Sequence, residues 1–148
     1  MRRRTLLLLP LWLLAGASVA GAEPIELFMI GTRNSAGQVE QFTYAVDTAH
    51  IVKLPHWSPA DAAPPQVEYG RALEIVRAKI ERSLPPQKDW KFQSIQLQHG
   101  TKPASNSVWY YQFEIDVFPR GGNVGDGMIL WTIVLLMDGT LLAPDPFK

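Results

Sequence analysis

Apolar and polar positions along this chain follow two periods, which separate one helical stretch from several strand-like ones. Residues 25–30 and 41–46 are short β-prone runs separated by turn-forming residues, and they predict an N-terminal hairpin. Residues 67–84 are apolar at every third or fourth position and predict one amphipathic helix. Proline pairs at 64–65 and 85–86, on either side of that stretch, are typical of helix boundaries.

Three more strands are predicted after the helix, and the first of them contains a change of parity. Trp90 and Phe92 lie on one parity of this strand, whereas Ile95 and Leu97 lie on the other. Because side chains alternate between the two faces of a strand, one extra residue near Ser94 would bring all four to the same face. The sequence therefore predicts a β-bulge near Ser94 or, alternatively, a late start of the strand.

The second of these strands, residues 108–118, alternates apolar with polar side chains. Its odd positions carry aromatic and branched apolar residues, while Gln112, Glu114 and Asp116 occupy even positions. This alternation predicts an antiparallel strand with one face against a core and the other in solvent. Residues 128–137 are instead apolar on both parities, which predicts a central strand covered on both sides.

The last strand is followed by an Asp-Gly pair at 138–139, a strong turn signal, after which residues 141–142 can fold back as a short strand. The proline-rich residues 47–65 predict an irregular surface segment, with a short strand at 51–52 and Trp57 inserted into the core. Together these elements predict an α+β fold. One amphipathic helix packs on an antiparallel sheet of about four to six strands, extended by the N-terminal β-hairpin.

Residues 1–22 have the three parts of a secretory signal peptide. Arginines at positions 2–4 form a positive n-region, a leucine-rich apolar run follows, and small residues end the segment. The apolar run is about 17 residues long, shorter than the ~20 that cross a bilayer. We therefore expect cleavage after Ala22 and a single mature domain over residues 23–148, located in the periplasm or secreted.

Composition narrows the classes of function. The chain contains no cysteine, which excludes disulfides, thiol nucleophiles and a lipid anchor on a cysteine. Its 14 basic and 14 acidic residues balance, but cleavage removes three arginines and leaves a domain with a net charge of about −3. Without a basic cluster, binding to nucleic acid or to an anionic membrane surface lacks an electrostatic basis, and we expect neither partner.

Candidate catalytic and metal-binding residues are sparse. His50, His56 and His99 lack the close spacing and carboxylate partner of a metal site, so they are interpreted as loop or edge residues. Asp138 is explained by its turn, and the acidic pair of the second strand by a solvent face. The glycine-rich residues 121–127 connect two strands and include no lysine, which is typical of a flexible loop rather than a phosphate cradle. The sequence predicts no enzyme activity, no metal and no cofactor.

Aromatic residues offer the best candidate for binding. The mature region contains Trp57, Trp90, Trp109 and Trp131 as well as several tyrosines, and most of these rings should lie in the core. Tyr110 lies on the polar parity of its strand, which predicts an exposed ring. Tyr110 is therefore the candidate residue for a contact surface.

Three segments stand out within about residues 64–144: WKFQSIQL at 90–97, WYYQFE at 109–114 and VLLMDGTL at 134–141. With the helix–strand–strand–strand order, they make this region resemble small exported bacterial proteins of PepSY-like type, in an uncharacterised subgroup. The resemblance implies a non-enzymatic role, in which the domain binds or restrains a peptidase or another protein of the cell envelope. The N-terminal hairpin, the proline-rich stretch and the lack of a neighbouring protease module depart from that pattern. No site residue carries over.

Three functional hypotheses are open at this point. The first, favoured by the scarcity of catalytic groups, is an envelope module that binds another protein through a sheet face or an exposed edge. The second is an oligomer-forming structural protein that pairs through residues 141–142 or the N-terminal strand. The third is a small hydrolase or small-ligand binder, which requires a polar cleft between helix and sheet. The sequence identifies neither the partner nor the oligomeric state.

Overall fold

The structure is a computed structural model, and it describes residues 23–33, 39–123, 125, 127–144 and 147. Its strands are β1 (Pro24–Arg33), β2 (Val39–Asp47), β3 (Lys88–His99), β4 (Trp109–Pro119), β5 (Ile129–Leu136) and β6 (Leu141–Leu142). Its helices are α1 (Thr48–Ile51) and α2 (Tyr69–Ser83). The predicted signal peptide lies outside the described residues.

The strands form two antiparallel sheets that are stacked in layers. β3, β4, β5 and β6 lie side by side in that order, whereas β1 and β2 pair with each other in a separate sheet. α2 packs on one face of the four-stranded sheet, and the β1–β2 hairpin packs on the other face. The predicted α+β fold is confirmed. The hairpin was expected to extend this sheet, but it forms a separate sheet that covers the second face instead.

α2 is amphipathic because its buried side chains recur every four residues. Ala72, Val76 and Ile80 are fully buried against the sheet, and charged side chains occupy the outer side. Tyr69 belongs to the apolar series of residues 67–84 but is 53% exposed, because it is the first residue of the helix and lies at the margin of the core. Leu84 ends the helix in an extended conformation, which a residue before proline prefers.

β4 and β5 form the centre of the fold. Their odd positions face α2, and β5 is buried on both faces, as its apolar sequence predicts. The apolar side chains that these two strands direct toward α2 are Trp109, Tyr111, Phe113, Ile115, Val117, Ile129, Trp131, Ile133 and Leu135.

Three even positions of β4, Tyr110, Gln112 and Asp116, are buried as well, contrary to the expected solvent face. Tyr110 is 0% exposed and stacks on Phe28, with ring centroids 5.7 Å apart. The hairpin contributes Leu27 and Tyr44 to the same cluster. Asp116 on this face is also buried. The prediction of a solvent face is wrong, because the alternation of a strand does not report what packs against its polar side.

The irregular segment after the hairpin begins with a helical turn and is anchored by a tryptophan. α1 occupies the position where a short strand was predicted at 51–52. Trp57 is buried as expected, with its ring edge-on to Trp109 at a centroid distance of 5.9 Å. Its indole N–H donates to the Ala63 carbonyl at 2.9 Å. The polar N–H group of the buried Trp57 ring is therefore hydrogen-bonded within the same segment.

Candidate interaction surface

α2 and the hairpin cover the two faces of the four-stranded sheet over β4 and β5, so its accessible backbone lies at the edges. β6, at one edge, has two residues, whereas β3, at the other edge, has twelve. No described strand pairs with the outer side of β3. A strand edge of this kind presents N–H and C=O groups that another strand can pair with. β3 is therefore the candidate interaction surface.

One end of the β3–β4 pair shows which backbone groups point outward. The Gly100 amide donates to the Val108 carbonyl at 3.0 Å, which continues the register of the two strands. Residues of an antiparallel strand direct their backbone groups alternately toward and away from a given neighbour. Gln98 and Gln96, two and four residues before Gly100, therefore bond to β4. Leu97 and Ile95, which alternate with them, direct their N–H and C=O groups outward.

The other end of the pair gives the same information for the first half of β3. The Arg120 amide donates to the Gln87 carbonyl at 2.9 Å, one step beyond the last pair of the register. The alternation then directs the backbone groups of Trp90 and Phe92 outward. The two halves of β3 thus present outward groups on different parities.

A β-bulge at Gln93 causes this change of parity. Phe92 pairs with Ile115, and the next pair joins Ser94 to Glu114, so Gln93 is the extra residue. Of the two alternatives predicted for this parity change, the bulge near Ser94 is confirmed and the late strand start is wrong, since β3 begins at Lys88. The outward-pointing residues are two positions apart within each half of the strand and three positions apart across the bulge.

The same four residues carry apolar side chains on the α2 side of the sheet. Trp90, Phe92 and Ile95 are partly buried against the core, and Leu97 is 37% exposed. α2 approaches β5 most closely, two strands away from β3, and so leaves this margin accessible. We call these four residues, with their outward backbone groups, the β3 rim.

Two features of β3 limit indiscriminate strand pairing. The bulge interrupts the rim, and Lys91 stands exposed beside it with Nζ 3.5 Å from Asp116 Oδ2. Bulges and lysines at sheet edges disfavour aggregation with arbitrary strands. An edge that combines these features with an apolar margin favours a partner of matching spacing.

Tyr110, the binding residue predicted from the sequence, is not part of an exposed surface. Its ring lies between the hairpin and the sheet, and burial raises its pKa to about 12. Its hydroxyl donates to the His99 carbonyl at 3.5 Å. Tyr110 therefore joins layers of the fold. The sequence signal that marks the rim instead is the parity change in β3.

His50, Asp138 and Thr140 meet between α1 and the β5–β6 turn. His50 Nε2 lies 2.7 Å from Asp138 Oδ2 and 3.5 Å from Thr140 Oγ1. A catalytic triad needs the acid and the nucleophile on opposite ring nitrogens, but here both approach Nε2. The interpretation of His50 as a loop or edge residue is wrong, since it lies in α1 and links two elements. This His50–Asp138 clasp is structural in its geometry.

The acidic pair of β4 is bound within the sheet. Glu114 accepts a hydrogen bond from Ser94 Oγ at 2.7 Å, and Asp116 pairs with Lys91. Asp116 Oδ1 and Thr132 Oγ1 are buried without a hydrogen-bond partner. No three His, Cys, Asp or Glu side chains within the described ranges group in a way that could hold a metal ion.

The other surface features are shallow. The glycine-rich loop is described only in part, since residues 124 and 126 lie outside the described residues. Gly121, Gly125 and Gly127 have positive φ, as expected of a loop.

In the part of the chain that the structure describes, no helix has both the length and the apolar character to span a bilayer. An open depression between α2 and β6 is lined by Lys79, Arg82, Ser83, Leu141 and Ala143.

The histidines singled out from the sequence do not converge. His50 belongs to the clasp, His56 is exposed in the irregular segment, and His99 lies against Trp109 at a centroid distance of 5.1 Å. The β3 rim is therefore the feature with a geometry suited to binding.

Comparison of this chain with protein-family models, with curated proteins and with solved structures finds no match.

Proposed function

We propose that this chain is an exported, non-enzymatic module of the cell envelope that binds a protein partner by accepting a strand at the β3 rim. In this proposal the signal peptide is cleaved after Ala22, and the domain acts in the periplasm or outside the cell. The resemblance to PepSY-like exported proteins supports a binding role over a catalytic one.

The observation that carries this proposal is the long outer edge of β3. Both faces of its sheet are covered over β4 and β5, and no described strand pairs with the outward groups of the rim. Strand addition satisfies such groups with main-chain hydrogen bonds and obtains specificity from alternate side chains. The rim offers both kinds of contact, since its apolar side chains lie beside its outward backbone groups.

A hydrolase or small-ligand site has less support. The His50–Asp138 clasp places acid and hydroxyl on one ring nitrogen, and the depression beside α2 is open to solvent. Ligand sites are usually concave cavities that enclose most of their ligand. The geometry therefore favours a macromolecular partner.

Photo-crosslinking in living cells tests the proposed function. A photoreactive amino acid is introduced at Gln93 or Gln96, both exposed on β3, and at Arg77, exposed on α2, as the matched control. We expect irradiation to attach the same envelope protein at both β3 positions and not at Arg77, with identification by mass spectrometry. No adduct at β3, or equal labelling at the helix, would contradict the proposal.

A further inference from the structure

We infer that the strand that fits the β3 rim is β3 of a second copy of this chain, running antiparallel about a twofold axis at the bulge. This inference rests on the proposed function, since it names the partner of the same rim. The two four-stranded sheets would then form one continuous sheet across both copies, through an interface that is identical on each side.

The spacing of the rim excludes a simple match with a regular strand. A regular strand directs backbone groups toward a given neighbour at every second residue. The rim does so at Trp90 and Phe92 and again at Ile95 and Leu97, but the step across the bulge is three residues. A regular strand that is in register with one half of the rim is therefore out of step with the other half.

A second β3 contains the same three-residue step, so antiparallel pairing aligns the two bulges. Phe92 of one copy then lies opposite Ile95 of the other, and Trp90 lies opposite Leu97. Each pair joins residues whose backbone groups point outward, which is the condition for hydrogen-bonded pairs in an antiparallel ladder. The rim is thus complementary to itself along its whole length.

The side chains agree with this register. On the α2 side, each pair places an aromatic residue against an aliphatic one, a favourable cross-strand combination. On the opposite side, Lys91 falls opposite Gln96 of the other copy, and Asp89 falls opposite Gln98. Neither of these two pairs brings like charges together.

Sedimentation velocity over a concentration series tests the inference, with protein expressed from the full-length chain and purified after export. We expect the wild type to dimerise and Leu97→Lys to raise the dimer dissociation constant by at least about tenfold, because it places a charge in the apolar margin. Val52→Lys is the matched control, since Val52 is 80% exposed and lies in another segment. This control should dimerise as the wild type does, and circular dichroism checks that both variants are folded.

A thiol crosslink tests the register independently of stability. The chain contains no cysteine, so Gln93→Cys introduces a single thiol beside the proposed axis. We expect a short bismaleimide to join two copies of Gln93→Cys and to leave Arg77→Cys monomeric. A wild type that is monomeric at all concentrations overturns the inference, as does a dimer that Leu97→Lys leaves intact and that Gln93→Cys does not crosslink.

The two proposals can fail separately. If the protein is monomeric but photo-crosslinking at β3 captures a different envelope protein, the second-copy inference is overturned and the proposed function stands. If the β3 positions capture neither a second copy nor another protein, both proposals are overturned.

Discussion

At the scale of residues, Thr132 joins two layers through its backbone and not through its hydroxyl. The Tyr44 hydroxyl donates to the Thr132 carbonyl at 2.6 Å, and burial raises the pKa of Tyr44 well above its ordinary value, so it remains a donor. Thr132 itself is 3% exposed, and its Oγ1 has no hydrogen-bond partner. A buried hydroxyl without a partner costs free energy that an apolar group of the same shape would not.

Replacing this hydroxyl by an apolar group of the same shape should therefore not lower the free energy of unfolding. Thr132→Val keeps the shape of the side chain and the carbonyl that accepts the bond from Tyr44. We expect the free energy of unfolding in urea to stay the same or rise by up to about 1 kcal/mol. Thr43→Val, at an exposed position of β2, is the matched control and should change it by less than about 0.5 kcal/mol. A loss above about 1 kcal/mol in Thr132→Val alone would contradict this account.

Tyr110 shows how far sequence reasoning reaches at this scale. Alternation along β4 correctly groups Tyr111 and Phe113 on one face and Tyr110 on the other. It does not show that Phe28, which lies far earlier in the chain, stacks on the second face. Burial on that side depends on packing between separate segments, which a local period cannot report.

At the scale of elements, the hairpin is held to the rest of the molecule by polar links as well as by apolar packing. The Thr101 amide and hydroxyl both donate to the Leu27 carbonyl at 2.9 Å. The Ser105 hydroxyl donates to the Glu26 carbonyl at 2.9 Å. The His50–Asp138 clasp adds a link from α1, directly after β2, to the β5–β6 turn. These contacts fix the hairpin over the sheet face.

The clasp should make stability depend on pH in the acid range. Burial raises the pKa of Asp138, but hydrogen bonds from the Thr140 amide and hydroxyl and from His50 outweigh it, so the pKa lies below its ordinary 3.8. A carboxyl group whose pKa is lower in the folded protein stabilises the fold at pH values above its ordinary pKa. This contribution is lost as the pH falls through the pKa of the folded protein. Asp138→Asn removes it.

We therefore expect wild type to exceed Asp138→Asn in free energy of unfolding at neutral pH, and the difference to shrink as the pH falls below 3.8. Urea unfolding of both proteins at a series of pH values measures this difference. A difference that stays constant into the acid range, or that grows there, would contradict the assignment of a lowered pKa to the clasp.

The elements themselves could largely be predicted from the sequence, whereas their arrangement could not. Helical spacing gives α2 to within a few residues, and the parity change in β3 indicates a bulge near Ser94 as one of two alternatives, of which the structure has the bulge. The hairpin strands were also expected, but their position over the sheet face was not. The clasp between His50 and Asp138 was missed for the same reason, since its members lie 88 residues apart.

At the scale of the whole molecule, the layers leave one long edge for strand pairing. The helix and the hairpin cover the two faces of the sheet, and β6 shortens one edge to two residues. β3 retains a rim of outward backbone groups beside apolar side chains that are only partly buried. The sequence could place the residues of the rim in a strand, but not at an edge, because strand order depends on the complete fold.

Amide hydrogen exchange along β3, measured residue by residue, tests this central claim most directly. In dilute protein we expect the outward amides of Phe92, Ile95 and Leu97 to exchange at least about 100-fold faster than the inward amides of Gln96 and Gln98. We expect the outward amides alone to become protected when a strand is added, at high concentration or with the captured partner. Equal protection of both sets in dilute protein would show that the rim is already covered, and would contradict the account.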